Sequence, residues 1–400
     1  MKNIFLTAIC IYCAAVSCFA QLPCATDFVH GSLMQSDPDY RNKILNLEND
    51  IRRNSDDAAG NSRSGTYILP IVVHVIHLGE PIGTGSNISN AQIQGAIDGI
   101  NDRWRNIIGN GADMEVQFCL ASIDSAGNPT TGINRVDGSS IPNYLAFGIN
   151  ANNPPCGGAD EFVIKNLSRW PVSRYYNIWV VNAICGGWGG WAYYPNGGPY
   201  DGTSIQYSYM TGSSTIPAHE VGHGFFLYHT FEGDGGNVSC PADADCLNNG
   251  DHVCDTQPHK QSDCGATNPC TGSGTWDNSR FNYMSYCSGL DRFSPGQKAR
   301  VQAVLQSPPR STLLQNTTCL GSGINENHSA DLISVYPNPV TSVLSVNGLR
   351  IKSALKIFDL TGKILLTENA GENYSIDLSG LEKGIYILQS DGVNKKIVKM

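Results

Sequence analysis

Residues 218–230, AHEVGHGFFLYHT, constrain this 400-residue chain more than any other stretch. His219, Glu220, His223 and His229 stand at positions 1, 2, 5 and 11 of a zinc-binding pattern. Residues four apart lie on one face of a helix, so His219 and His223 present two imidazoles to a single ion. Glu220, one residue along, can lean over a water held there. Gly224 loosens the helix, and a turn at that point would bring in His229 as a third ligand. Three neutral imidazoles leave a fourth position open, the arrangement of a catalytic zinc; a structural zinc takes four protein ligands and has no use for the glutamate. Chance assembly of the four residues at this spacing is expected roughly once in 10,000 chains of this composition, which sets coincidence aside.

The remaining sequence divides the chain. Residues 1–20 carry Lys2, an apolar run from Ile4 to about Phe19, and Ala20 before Gln21, which is the pattern of a secretory signal peptide. No later stretch approaches the ~20 consecutive apolar residues of a transmembrane segment. Lys and Arg number 26 against 35 Asp and Glu, a net charge of -9, so the attraction that draws proteins to nucleic-acid phosphates is missing. Residues 21–63 are polar, helix-like around 40–51, and carry Arg52, Arg53 and Arg63; they read as a detachable prosegment. Residues 64–320 form the main domain. Apolar runs at 68–76 and 177–184 read as buried strands, with a further strand at 115–123. Ser89 or Asn90 caps a helix carrying Ile93, Ile97, Ile100 and Trp104 at helical spacing. An aromatic edge strand at 188–195 offers itself to an extended peptide by strand addition. The class is α+β. A polar linker at 321–332 leads to 333–400, whose short alternating strands predict a small all-β sandwich.

Export permits disulfides. Of fourteen cysteines, Cys10, Cys13 and Cys18 fall in the leader, leaving an odd number. Six crowd into 240–287, a loop rich in Asp, Asn and Gly that bridges would hold in place. Its hard carboxylate oxygens suit calcium, with Asp251, Asp255 and Thr256 as the contributors. Cys24 stands alone near the new N-terminus. Either it fills the open zinc position as a thiolate, or it pairs with one of the other cysteines.

These residues carry a resemblance. The zinc pattern, together with LPIVVHV at 69–75, ISNAQI at 88–93, FCLA at 118–121, YNIWVV at 176–181, LYHTF at 227–231 and NYMSY at 282–286, resembles the pappalysin family of metzincin peptidases over most of 64–310. The resemblance implies a mixed twisted sheet with an active-site helix and a backing helix. It implies a methionine turn at Met284 beneath the zinc histidines, oxyanion stabilisation by Tyr286, calcium in the acidic loop, and a prosegment whose Cys24 blocks the zinc. One residue departs from the pattern: Phe226 stands where the family usually has Gly, at a left-handed turn that costs a side chain about 1–2 kcal/mol. In the tail, VYPNP at 335–339, FDLTGK at 358–363 and LEKGIY at 381–386 resemble the C-terminal sorting domain of type IX secretion. That resemblance implies a bacterial protein taken through the periplasm and across the outer membrane, with the secretion machinery as a partner. The expected function is a secreted zinc metalloendopeptidase made as a zymogen, acting on protein or peptide substrates with Glu220 as general base. The alternative is a catalytically silent surface-binding protein that keeps the zinc fold as a scaffold; the retained Glu220 speaks against it.

Overall fold

The computed structural model describes residues 24–58, 65–151, 156–277, 279–315, 319 and 334–400, apart from 348–352, 360–361, 371–372 and 391–392. The expected leader at 1–20, the linker and Arg63 lie outside the described residues.

The central strand β1 (Tyr67–His77) is almost continuously buried. Its unbroken apolar sequence follows from its place in a parallel sheet covered on both faces. Along one flank it pairs in parallel with β2 (Val116–Leu120) through residues 67–71 and with β3 (Ile133–Asp137) through 73–77. Along the other flank it pairs in parallel with β4 (Tyr176–Val181). β5 (Gly190–Ala192) and β6 (Thr203–Gln206) complete the sheet; β6 runs parallel to β4, and β5 is antiparallel at the edge. The edge strand is shorter than the expected 188–195. Trp191, Tyr193 and Tyr194 are buried in a core shared with Val29, Tyr40 and Ile44 of the N-terminal segment rather than presented to solvent, so the edge offers an added peptide its backbone.

Helices cover both faces. On one, α3 (Asn90–Trp104), capped by the Ser89 hydroxyl accepting from the Gln92 N–H, packs with α4 (Ile216–Gly224) against β1 and β2. On the other lie α1 (Thr26–Ser36) and α2 (Pro38–Ala58). Ile44, Leu47 and Ile51 form an apolar stripe on α2 and join Trp179, Trp191, Phe226 and Val304 in a second core. The N-terminal segment that the sequence led us to expect as detachable is therefore built into the hydrophobic interior. The backing helix α5 (Pro295–Gln306) begins with a Ser294–Gln297 capping box and serves both cores through Val301, Val304 and Leu305.

The region 225–294 has little regular structure and is held by Cys240–Cys270, Cys246–Cys254 and Cys264–Cys287. Cys156–Cys185 and Cys119–Cys319 lie outside it. Cys24 is the free cysteine among the described residues.

The chain divides into two units after Cys319. In the second, β7 (Ser334–Tyr336), β8 (Val343–Asn347) and β11 (Asn373–Asp377) form one antiparallel sheet. β9 (Ser353–Phe358), β10 (Ile364–Ala370), β12 (Gly384–Ser390) and β13 (Val393–Lys399) form another. Leu344 and Val346 of the first meet Leu355, Ile357, Leu388 and Ile397 of the second in one core. Among the described residues no helix is long and apolar enough to cross a membrane.

Candidate active site

Helix α4 holds His219 and His223 one turn apart, both fully buried. The His219 Nδ1 bonds the Tyr283 carbonyl and the His223 Nδ1 bonds the Leu227 carbonyl, each at 2.7 Å. The His229 Nδ1 lies 2.8 Å from the Asp27 carboxylate. With all three Nδ1 atoms donating, every Nε2 carries a lone pair, and those three atoms converge at separations of 3.1–3.2 Å. With neutral rings, three lone pairs at such separations repel one another and suit a shared cation. The separations match the edge of a tetrahedron with metal–nitrogen bonds of about 2.0 Å. Burial lowers the His219 imidazole to about 3, keeping it neutral as a ligand must be.

Of the two ways the chain could turn toward His229, at Gly224 or with strain tolerated at Phe226, the structure takes the second. Gly224 ends the helix, and Phe226 adopts the left-handed conformation with φ 67°. The Leu227 N–H bonds the Gly222 carbonyl and the Phe226 N–H bonds that of His223, the two bonds that close a helix in this way. Gly224 serves another purpose: a Cβ there would lie 1.7 Å from the Tyr176 hydroxyl. A Cβ at Gly222 would lie 2.6 Å from the Met284 sulfur. The methionine therefore presses directly on the helix floor, and its turn also supplies the Tyr283 carbonyl that orients His219.

Glu220 is buried beside the metal position, and burial raises its carboxyl to about 8. The Cys24 thiol bonds its Oε2 at 3.1 Å, and the sulfur lies within 4.8 Å of the three Nε2 atoms. Burial, with Glu220 second, pushes that thiol well up. The Tyr286 hydroxyl accepts from the Cys24 N–H at 2.8 Å. Next along the chain, the Ala25 N–H bonds the Gly190 carbonyl at 3.1 Å, and the Thr26 hydroxyl accepts from the Ala192 N–H and donates to the Ala192 carbonyl. Residues 24–26 thus lie along the edge strand, across the three histidines.

In the acidic loop, the Thr256 hydroxyl is 2.7–2.8 Å from both carboxylate oxygens of Asp251. The Asp255 carboxylate turns away, accepting from the Ser294 hydroxyl and the Gly296 N–H at the start of α5. Asp27, Glu48 and Arg300 give no local sequence signal. Glu48 on α2 inserts its carboxylate between Arg300, Tyr228 and His252, and the Arg300 Nε bonds the Phe226 carbonyl.

A mixed sheet carrying this helix, with a base beside converging imidazoles, defines a metallopeptidase. The model of the family described as pregnancy-associated plasma protein-A matches residues 157–306, and that of the secretion system C-terminal sorting domain matches 334–400. An extracellular metalloprotease of Sordaria macrospora is 31% identical over 262 residues, 61% of this chain and 76% of that one. Another from Arthroderma benhamiae is 28% identical over 265 residues, 62% and 80% of the two chains. A solved promirolysin mutant of Tannerella forsythia shares the fold, with a TM-score of 0.53 at 24% identity over 73% of this chain and 97% of that one. The chain belongs to the pappalysin family of peptidases and is exported by the type IX route.

Proposed function

We propose that the chain is a zinc-dependent endopeptidase synthesised as a latent precursor, with His219, His223 and His229 as ligands and Cys24 at the fourth position. The observation that carries the reading is the convergence of three Nε2 lone pairs beside Glu220. Bound there, zinc supplies Lewis-acid activation of water and of the peptide carbonyl. Glu220 takes the proton of the attacking water on its carboxylate and returns it to the leaving amine. The Tyr286 hydroxyl, freed from Cys24, donates to the developing oxyanion. The backbone of Gly190–Ala192 pairs with an extended substrate, a role supported by the bonds that Ala25 and Thr26 make there. Residues 24–26 hold both places, which is the physical basis of latency, and cleavage near Arg53 or Arg63 releases them.

A substitution panel tests this. Glu220→Ala should keep about one zinc per chain and lose nearly all proteolysis, whereas His223→Ala should lose the metal as well. Cys24→Ala should give a precursor that is active or processes itself faster. Substantial activity in Glu220→Ala would defeat the mechanism, and a Cys24→Ala precursor as latent as the parent would defeat the latency reading.

For the cystine-rich loop we propose calcium held by Asp251, whose buried carboxyl is raised to about 7 by burial and is fixed by Thr256. A calcium-selective chelator should then lower the Tm of the mature enzyme. An unchanged Tm removes calcium from the account.

A further inference from the structure

Two of the three histidines are oriented by carbonyls of the enzyme body, at Tyr283 and Leu227. The third is not. The Nδ1 of His229 bonds Asp27, in the first turn of α1, within the segment proposed to leave on activation. Phe231 stacks on the His229 ring at 4.6 Å and 10°, which fixes the plane of the imidazole. A stacked ring does not decide which nitrogen carries the proton; a hydrogen bond at Nδ1 does. Carboxylate partners of metal-bound histidines fix the tautomer and raise ligand basicity, and their loss typically costs 10–100-fold in metal affinity. Asp27 follows Cys24 by three residues, so one short stretch reaches the metal position directly and through His229.

Building on the latent-precursor reading, we propose that Asp27 is a positioning residue for His229. The prosegment then has a second role besides blocking the site: it holds the metal in the precursor, and activation removes a ligand and an orienting carboxylate together. The competing account is that Asp27 only places a negative charge at the start of α1, where the helix dipole favours it.

The experiment uses the full-length precursor with Glu220→Gln in every arm to prevent self-cleavage, loaded with cobalt(II) and mixed with excess chelator. The thiolate-to-cobalt absorption reports Cys24, and its decay reports metal loss. Cys24→Ser should abolish the thiolate band; a band that survives would sink the latent-precursor reading itself. Asp27→Ala should keep the band but lose cobalt about 10–100-fold faster. Asp27→Asn, which loses the charge but keeps an acceptor oxygen, should fall between Asp27→Ala and the parent. The inference is overturned, with the latency reading intact, if Asp27→Ala releases metal as slowly as the parent. It is equally overturned if Asp27→Asn is as fast as Asp27→Ala, which would reduce Asp27 to a helix charge. Loss of the thiolate band in Asp27→Ala also overturns it, since Asp27 would then place Cys24 rather than His229.

Discussion

Phe226 shows how one side chain is kept in an unfavourable backbone state. Its left-handed conformation costs about 1–2 kcal/mol against glycine, but the ring is fully buried among Tyr194, Tyr228 and the Arg300 guanidinium. Removing a buried phenylalanine side chain costs about 3–5 kcal/mol. Packing therefore outweighs strain, and Phe226→Gly should destabilise the protein by about 2 kcal/mol even though glycine suits the turn. A thermal melt of the variant checks the sign. His219, Glu220 and His223 were legible from sequence because their spacing is set within one helical turn. The strain at Phe226 was legible too, but its remedy was not, because Arg300 and Tyr194 reach it from distant parts of the chain.

At the scale of elements, α2 docks through an apolar stripe and one buried ion pair. Burial alone would raise the Glu48 carboxyl, but Arg300, with His252 beside it, holds it well below the usual carboxylate range. A depressed carboxylate contributes docking energy above its free pKa of about 4.3 and loses it as pH falls through the lower docked value. Helix α2 should therefore stay seated at pH 5 and loosen only in stronger acid. Removing one partner of a buried pair costs about 3–5 kcal/mol, so Glu48→Gln should lower the Tm of the precursor and abolish this acid dependence. On the proposed activation the cleaved enzyme would lack Glu48, so its Tm would not register the substitution. The stripe Ile44, Leu47 and Ile51 is readable from periodicity, whereas the Glu48–Arg300 pair, 252 residues apart, is not. The same separation problem hid Asp27: hydrophobic patterning reports which face is buried, but not which charge it meets. It also made the edge strand look longer and more exposed than it is, since an aromatic run reads alike whether it faces solvent or another segment of the chain.

For the whole molecule, export and catalysis reside in different units. A chain ended at residue 325 keeps Cys319 and the whole first unit. It should cleave protein substrates after activation but remain in the periplasm of its own host. Normal amounts in the culture medium would break the assignment of export to the tail. Ending the chain at 318 is a different experiment, because it leaves Cys119 on β2 without its partner. That bridge closes a loop across a sequence separation of 200, which is roughly 700 Å of extended chain. Any pull on the chain beyond Cys319 would therefore be shared between the backbone leading back to α5 and the bridge to β2, in the central sheet. The catalytic unit is anchored like a rope tied to a beam as well as to the last plank.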